Sequence, residues 1–223
     1  MTARAAARRG LGPRRIARGL WRRLLGRRPQ PSAPEVAAAN TRESYELMYE
    51  RPDLLEAYLE PGRLAFFEIV AGIAVELAPA SAIDVGCGSG DLLAALDRRL
   101  GPGCALAGFD HASSGVARAR TLVPRAALRV AEIASYPAEP QHDLVLCTEV
   151  LEHLDRPHEA LGLLQALRRP GGTILITVPD GAIDDFEGHV NFWSEDDLAA
   201  LLAPYGEVEI RRIQQVTLLA LVR

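Results

Sequence analysis

The feature that most constrains the fold is a repeated alternation of short apolar runs with longer amphipathic segments. Strand-like runs occur at 82–86, 104–110, 126–132, 142–149 and 172–179. Helical patterns precede the first strand and fill most of the intervals between the others, at 36–59, 62–77, 90–100, 112–121 and 157–169. Strands that alternate with helices form a parallel sheet. The sequence therefore predicts an α/β fold with helices on both faces of the sheet.

The C-terminal part departs from this alternation. The stretch SEDDLAALLAPYG predicts a helix capped by Ser194 and closed by Gly206. Two strand-like runs, EVEIRRI and VTLLALV, follow with only two residues between them. Strands this close in sequence pair as an antiparallel hairpin.

Charge divides the chain into a basic arm and an acidic remainder. Residues 1–28 hold ten arginines and no acid, whereas the rest holds 15 basic and 29 acidic residues, a formal charge of −14. Within the arm, RRIARGLWRRLLGRR predicts a basic amphipathic helix that could lie on an anionic membrane surface or dock a partner. A solvated, disordered tail is the alternative. Three prolines in 28–34 predict a stiff linker, so we expect the globular domain to span 35–223.

Two absences bear on location. The sequence has no apolar run of the length that crosses a bilayer. Its three cysteines, Cys87, Cys104 and Cys147, are scattered and lack metal-ligand spacing, which favours a reducing compartment over a disulfide framework. We expect a cytoplasmic protein, peripheral at a membrane if the arm binds lipid.

Acidic residues lie where the predicted strands end. In open parallel sheets ligands bind beyond the carboxyl ends of the strands. Four of the five ends carry an acid: Asp84, Asp110, Glu132 and Glu149. Three alternate glycines, Gly86, Gly88 and Gly90, follow the first of these acids. Glycines of this spacing let a backbone approach a ligand closely. Two acids beside the loop disfavour a pyrophosphate and suit a ligand that carries positive charge.

These motifs, taken in order, resemble class I S-adenosylmethionine (SAM)-dependent methyltransferases of the type 11, 12 and 23 groups. The segments that carry the resemblance are IDVGCGSG, the acid of LAGFDHA, VAEI, DLVLCTEVLEHL and RRPGGTILITVP, and it covers roughly residues 60–223. It implies a Rossmann-like seven-stranded sheet whose last strand is antiparallel, with SAM as cofactor. Residues 35–78 would form an N-terminal helical lid.

The resemblance also implies the residues that bind the cofactor. The glycines would wrap its methionine portion, Asp84 would help to hold the amino group, and Asp110 would accept from the ribose hydroxyls. Glu132 or the Ile133 backbone would meet the adenine. The full predicted set is Asp84, Gly86, Cys87, Gly88, Gly90, Asp110, His111, Glu132, Ile133, Cys147 and Thr148.

Methyl transfer calls for alignment and for removal of a proton from the acceptor. The candidates for that work are Glu149, His153 and His189. Glu149, Glu152 and His153 fall at i, i+3 and i+4, which predicts one side of a helical turn. Ubiquinone-pathway O-methyltransferases show a similar E-x-x-E-H, and small-RNA 3′-end methyltransferases add a later histidine.

In such enzymes the set can hold a divalent metal, here through Glu149, Glu152, His153 and His189. Many related methyltransferases share the motif without a metal, so no metal is the favoured prediction. The sequence thus predicts a SAM-dependent methyltransferase acting on a small molecule, on a hydroxyl oxygen. An RNA methyltransferase that uses the arm is an alternative, disfavoured by the acidic domain. A non-catalytic SAM-fold protein at a membrane or partner is another. The acceptor's identity, the choice among O, N and C methylation, metal dependence and the oligomeric state stay open.

Overall fold

A computed structural model describes residues 40–186 and 188–223, and the predicted arm and linker lie outside this part of the chain. Its sheet has seven strands: β1 (Ser81–Val85), β2 (Ala105–Asp110), β3 (Ala127–Val130), β4 (His142–Thr148), β5 (Arg168–Pro179), β6 (Val208–Ile213) and β7 (Thr217–Val222). Their spatial order is β3-β2-β1-β4-β5-β7-β6. Strands β1 to β5 pair in parallel, whereas β7 runs antiparallel to both β5 and β6. The predicted sheet and its antiparallel last strand are confirmed.

Seven α-helices surround the sheet within the described residues: α1 (Arg42–Glu50), α2 (Pro52–Tyr58), α3 (Pro61–Leu77), α4 (Asp91–Leu100), α5 (Ser113–Leu122), α6 (Pro157–Leu167) and α7 (Glu195–Leu202). Alternate residues of β1 face two separate cores, as the two-residue period of a strand requires. Ala82 packs with α3, α4 and α5 on one face, and Ile83 and Val85 pack with α6 and α7 on the other. Helices therefore cover both faces. None of the described helices combines the length and the apolar character that a membrane crossing needs.

The prediction of one helix over 36–59 is wrong, because the structure breaks it into α1 and α2. Arg51, between them, has extended backbone angles (φ −94°, ψ 117°). Pro52 causes the break, since its ring disfavours helical angles in the preceding residue and it has no N–H to donate into the helix. The resulting bend lets both short helices lie across the carboxyl end of the sheet.

The C-terminal helix and hairpin are confirmed. Ser194 caps α7 by accepting from the Asp197 N–H, and the Asp197 carboxylate accepts from the Ser194 N–H in return. The hairpin places β7 next to β5, so that the segment 180–193, which joins β5 to α7, emerges at the carboxyl end of the parallel strands.

Candidate active site

Asp84 lies near the carboxyl end of β1 and is almost completely buried. Its Oδ1 atom has no hydrogen-bond partner among the described residues. Burial, reinforced by the charge of Asp110, raises the pKa of Asp84 to about 7. A buried carboxylate without a donor is costly, so this atom is suited to a ligand that brings an N–H group or a positive charge.

The glycine loop follows directly. Gly86 (φ +78°) and Gly88 (φ +47°) adopt left-handed angles that favour glycine. A Cβ at Gly86 would come within 2.6 Å of the Val150 side chain, and one at Gly88 would collide with the Tyr49 hydroxyl. The loop is therefore tightly covered by its own protein neighbours, and it leads into α4 through Gly90.

Asp110 ends β2 and bonds to the glycine loop. Its Oδ2 accepts from the Gly88 N–H (2.9 Å) and its Oδ1 from the Ala112 N–H (2.8 Å). Burial raises the pKa of Asp110, and these two bonds oppose the rise. Each carboxylate oxygen keeps a second lone pair that can accept from a ligand hydroxyl.

Three further predicted residues gather beyond Asp110. His111 is partly buried, and its Nδ1 lies 3.6 Å from Glu132 Oε2. Glu132 is exposed and precedes a short 3-10 helix that begins at Ile133. The structure thus places these residues beside β2 and β3, at the same edge as Asp110.

A small cavity is lined by five of the eleven predicted cofactor residues. Asp84, Gly86, Cys87, Gly88 and Thr148 line it, together with residues from the helices before β1. Cys147 does not line it, because its side chain is fully buried on the other face of the sheet, in the core with α6 and α7.

Arg63, in the first turn of α3, is a lining residue that the sequence analysis missed. Its guanidinium lies over the Tyr58 ring, 4.7 Å from the centroid. It is also a cation whose charge acts on Glu149 and Glu152. The Arg63 guanidinium thus belongs to the cavity lining and also acts on the acidic turn after β4.

The acidic turn differs from the prediction at its first residue. Glu152 and His153 belong to a 3-10 helix, Leu151–His153, but Glu149 lies before it with φ +54°. This strained conformation is held by β5, since the Glu149 N–H donates to Thr177 O and the Thr177 hydroxyl donates to Glu149 Oε1, both at 3.0 Å. Glu149, Glu152 and His153 therefore do not share one helical turn.

Glu152 is almost completely buried, and Glu149 is partly buried. Burial raises the pKa of Glu149, and burial together with the Glu149 charge raises the pKa of Glu152 well above its usual range. Neither oxygen of the Glu152 carboxylate has a hydrogen-bond partner within the described residues. Groups of this kind are concentrated at functional sites.

The structure brings His189 next to His153, with ring centroids 4.8 Å apart. His189 Nδ1 lies 2.5 Å from Asp184 Oδ2, and His153 Nδ1 lies 3.2 Å from the Gly188 carbonyl oxygen. A carbonyl or carboxylate oxygen only accepts, so each Nδ1 carries a proton, and in the neutral ring Nε2 has a lone pair. Burial, aided by His189, lowers the pKa of His153 to about 4. Both rings can therefore accept a proton or bind a metal.

Three of the four residues of the predicted metal alternative lie close together. Glu152, His153 and His189 each offer one ligand atom, and these three atoms lie within 4.8 Å of one another. Glu149 is not in this group, because its carboxylate is turned to Thr177. Two imidazoles and a carboxylate are a donor set that divalent transition metals accept.

Helix α1 covers the site and was missed as a source of site residues. Tyr45 lies 5.3 Å from His111 and 6.4 Å from His153, measured between ring centroids, so it contacts both ends of the site. Glu46, on the same helix, accepts from the backbone N–H groups of Ser113 and Ser114 at 2.7 Å each. The i, i+4 spacing of Tyr45 and Tyr49 is the sequence signal that could have indicated this aromatic face.

The chain is similar in sequence to known proteins. A sequence model of the methyltransferase domain family matches residues 65–207. Trans-aconitate 2-methyltransferase of Methylobacterium nodulans is 39% identical over 106 residues, which are 46% of this chain and 40% of that enzyme. Ubiquinone biosynthesis O-methyltransferase of Aeromonas salmonicida is 35% identical over 101 residues, 43% of this chain and 41% of that enzyme. The chain thus spans less than half the length of these curated relatives.

A solved structure shares the fold over most of its length. It is the Burkholderia thailandensis 1,6-didemethyltoxoflavin-N1-methyltransferase with bound 1,6-didemethyltoxoflavin and S-adenosylhomocysteine. The TM-score is 0.64 at 19% identity, and the match covers 89% of this chain and 92% of that one. By its matched family model and by its fold, the chain belongs to the methyltransferase domain family, among the class I SAM-dependent methyltransferases.

Proposed function

We propose that this protein transfers the methyl group of SAM to a small-molecule acceptor, at a hydroxyl oxygen. The observation that carries the proposal is the buried Asp84 side chain, whose Oδ1 has no hydrogen-bond partner among the described residues, at the cavity beside the glycine loop. The small-molecule acceptor is supported by the curated relatives and by the toxoflavin-type substrate of the solved relative.

The residues present fit the cofactor. Asp84 would bind its ammonium group, and Arg63, at the same cavity, would pair with its carboxylate. Asp110 would accept from the ribose hydroxyls with the lone pairs that its two backbone bonds leave available. Bound SAM would supply a methyl group on a positively charged sulfur, ready for in-line displacement.

On the acceptor side, the chain has to orient a hydroxyl and take its proton. His189 is the stronger base candidate, because Asp184 fixes its tautomer and would stabilise the imidazolium that forms. His153 would accept a hydrogen bond through Nε2 and help to place the acceptor oxygen. Glu149, turned towards Thr177, would shape the pocket and not take the proton itself.

A metal-assisted form of the same reaction is the second candidate. It is favoured by the unpartnered Glu152 carboxylate next to two available Nε2 atoms. Glu152, His153 and His189 would hold the ion, which would lower the pKa of a bound hydroxyl. In the metal-assisted form, Asp184 would orient His189 as a metal ligand and not as a general base.

The arginine arm suggests a separate role in location. Ten arginines without an acid in residues 1–28 would attract an anionic membrane surface or an acidic partner. We propose the membrane surface for the arm and the acceptor site for the acidic domain, so that binding and catalysis use different parts of the chain.

The proposed function is tested with the purified full-length protein, labelled SAM and metabolite extracts. We expect label in extractable small molecules, lost in the Asp84→Ala variant. Parallel reactions with a chelator distinguish the two candidates, since activity without metal leaves the histidine mechanism. If the protein does not bind S-adenosylhomocysteine and no extract is labelled, the proposal is wrong.

A further inference from the structure

Two exposed aromatic rings flank His189. Phe186 is 59% exposed and Phe192 is 49% exposed. Their ring centroids lie 4.8 Å and 6.4 Å from that of His189. Ile183 and Val190, in the same segment, are also among the exposed large apolar side chains. Scattered apolar residues on a surface need no explanation, but a cluster beside polar reacting groups marks a binding surface.

The segment that carries these rings is fastened to the acidic turn. The N–H groups of Val190 and Asn191 donate to the Glu152 carbonyl oxygen at 2.8 and 3.1 Å. The Asn191 side-chain amide donates to the carbonyl oxygens of Leu151 and Leu154. The two rings are therefore set at a defined position relative to Glu152 and the histidines, as a preformed pocket wall requires.

The polar groups around the rings are mostly acidic. The carboxyl groups here are those of Glu149, Glu152 and Asp184. The charge of the Arg63 guanidinium acts on the two glutamates. Arg212, farther along the same edge, is already paired with Asp180 and Glu195. Among the described residues no arginine is ion-paired with either glutamate or stacked on either ring, so an acceptor with several carboxylates would bury its charges beside the rings without a cation to pair with them.

We infer that the methyl acceptor is an uncharged or cationic molecule with an apolar body, and that Phe186 and Phe192 bind this body beside His189. The inference rests on the proposed function, because it assigns the substrate class of that same site. It also separates this chain from its relative named for trans-aconitate, since a tricarboxylate is the kind of acceptor that this surface disfavours.

Calorimetric titrations of the full-length protein provide the test. S-adenosylhomocysteine is titrated first, and the saturated protein is then titrated with 2-naphthol, a neutral aromatic alcohol, and with trans-aconitate. We expect 2-naphthol to bind and trans-aconitate to bind at least tenfold more weakly. Phe186→Ala and Phe192→Ala should each weaken 2-naphthol binding by about tenfold, the worth of a partly buried aromatic ring.

Leu122→Ala is the control, because Leu122 is an exposed apolar residue (39%) at the far end of α5. It should leave 2-naphthol binding unchanged. Tighter binding of trans-aconitate than of 2-naphthol would overturn the inference, and so would unchanged binding of 2-naphthol in both phenylalanine variants. Failure to bind S-adenosylhomocysteine in the first titration would instead contradict the proposed function.

Discussion

At the scale of single residues, the site is built from buried carboxyl groups that have been left short of partners. Asp84 is the clearest case, with an unpartnered oxygen and a pKa raised to about 7 by burial and by Asp110. The free protein holds this proton up to about pH 7, whereas the unfolded chain loses it near pH 4. Stability of the free protein therefore falls as the pH rises through that window, and a ligand cation recovers the loss.

Asp84 should make cofactor binding depend on pH. Because the ammonium group needs the ionised carboxylate, affinity for S-adenosylhomocysteine should rise about tenfold per pH unit up to about pH 7 and then level off. Asp84→Asn should weaken binding about 100-fold and abolish the pH dependence. Calorimetry between pH 5.5 and 8.5 measures both, with the exposed Asp196→Asn as control. A pH-dependent wild-type profile that persists in Asp84→Asn would contradict the assignment.

The His189 and Asp184 pair should affect turnover more than binding. His189→Ala should lower kcat by about 10²- to 10³-fold, the usual contribution of a general base. Asp184→Asn should lower kcat by about tenfold or more, because an amide can donate to Nδ1 and so favours the wrong tautomer. Affinity for S-adenosylhomocysteine should stay unchanged in both. His158→Ala, an exposed histidine, is the control, and equal losses in all three variants would exclude the proposed role.

At the scale of secondary-structure elements, α1 is docked on the amino end of α5 by one carboxylate. Burial opposes ionisation of Glu46, but bonds from the side chains and backbone of Ser114 and Ser113 hold its pKa at about 2. The partial positive charge at a helix amino terminus adds to these bonds. The same helix lays Tyr45 and Tyr49 over the glycine loop and His153. Glu46 thus fastens α1, part of the predicted lid, to the amino end of α5.

Weakening this contact should speed cofactor exchange. Glu46→Gln should raise the dissociation rate of S-adenosylhomocysteine about tenfold, since charge-assisted bonds to two N–H groups are lost. Stopped-flow displacement measures the rate. Glu43→Gln changes an exposed acid on the same helix and should leave it unchanged. The depressed pKa means that the stabilisation by Glu46 is present above about pH 4 and is lost only as the pH falls towards 2. An unaltered dissociation rate in Glu46→Gln would show that the contact of Glu46 with α5 does not limit cofactor exchange.

At the scale of the whole molecule, charge is distributed so that an acidic domain follows a basic arm. Residues 29–223 carry a formal charge of −14, which would repel polyanions from this part of the chain. This arrangement supports a small, non-anionic acceptor and leaves any anionic surface to the arm.

The proposed membrane role of the arm is tested by sedimentation with vesicles rich in phosphatidylserine. Replacing Arg22, Arg23, Arg27 and Arg28 by glutamine in the full-length chain should weaken binding by about a thousandfold, because each basic residue near such a surface contributes about 1 kcal/mol. Vesicles of phosphatidylcholine alone and high salt serve as controls. Equal binding of the wild-type and the substituted chain would exclude the electrostatic role.

The sequence by itself determined the fold and predicted several residues that gather at the glycine loop, although Cys147 lies on the other face of the sheet. Both depend on local signals: the periods of apolar residues set strands and helices, and the glycines and acids lie directly at strand ends. Even the break between α1 and α2 follows from Pro52, which the single-helix prediction overlooked. Parallel strands then bring their carboxyl ends together, which is why Asp84 and Asp110 could be paired from sequence alone.

Only the tertiary structure decided the acceptor half. The strain at Glu149 depends on its pairing with Thr177 in β5, 28 residues away. Tyr45 and Arg63 reach the site from helices before β1. The spacing of Tyr45 and Tyr49 indicates an aromatic face, but it does not say which part of the sheet that face covers. His189 contacts Asp184 and also His153, which lies in the turn after β4. Such contacts depend on how separate elements pack together, and local sequence patterns do not record that geometry.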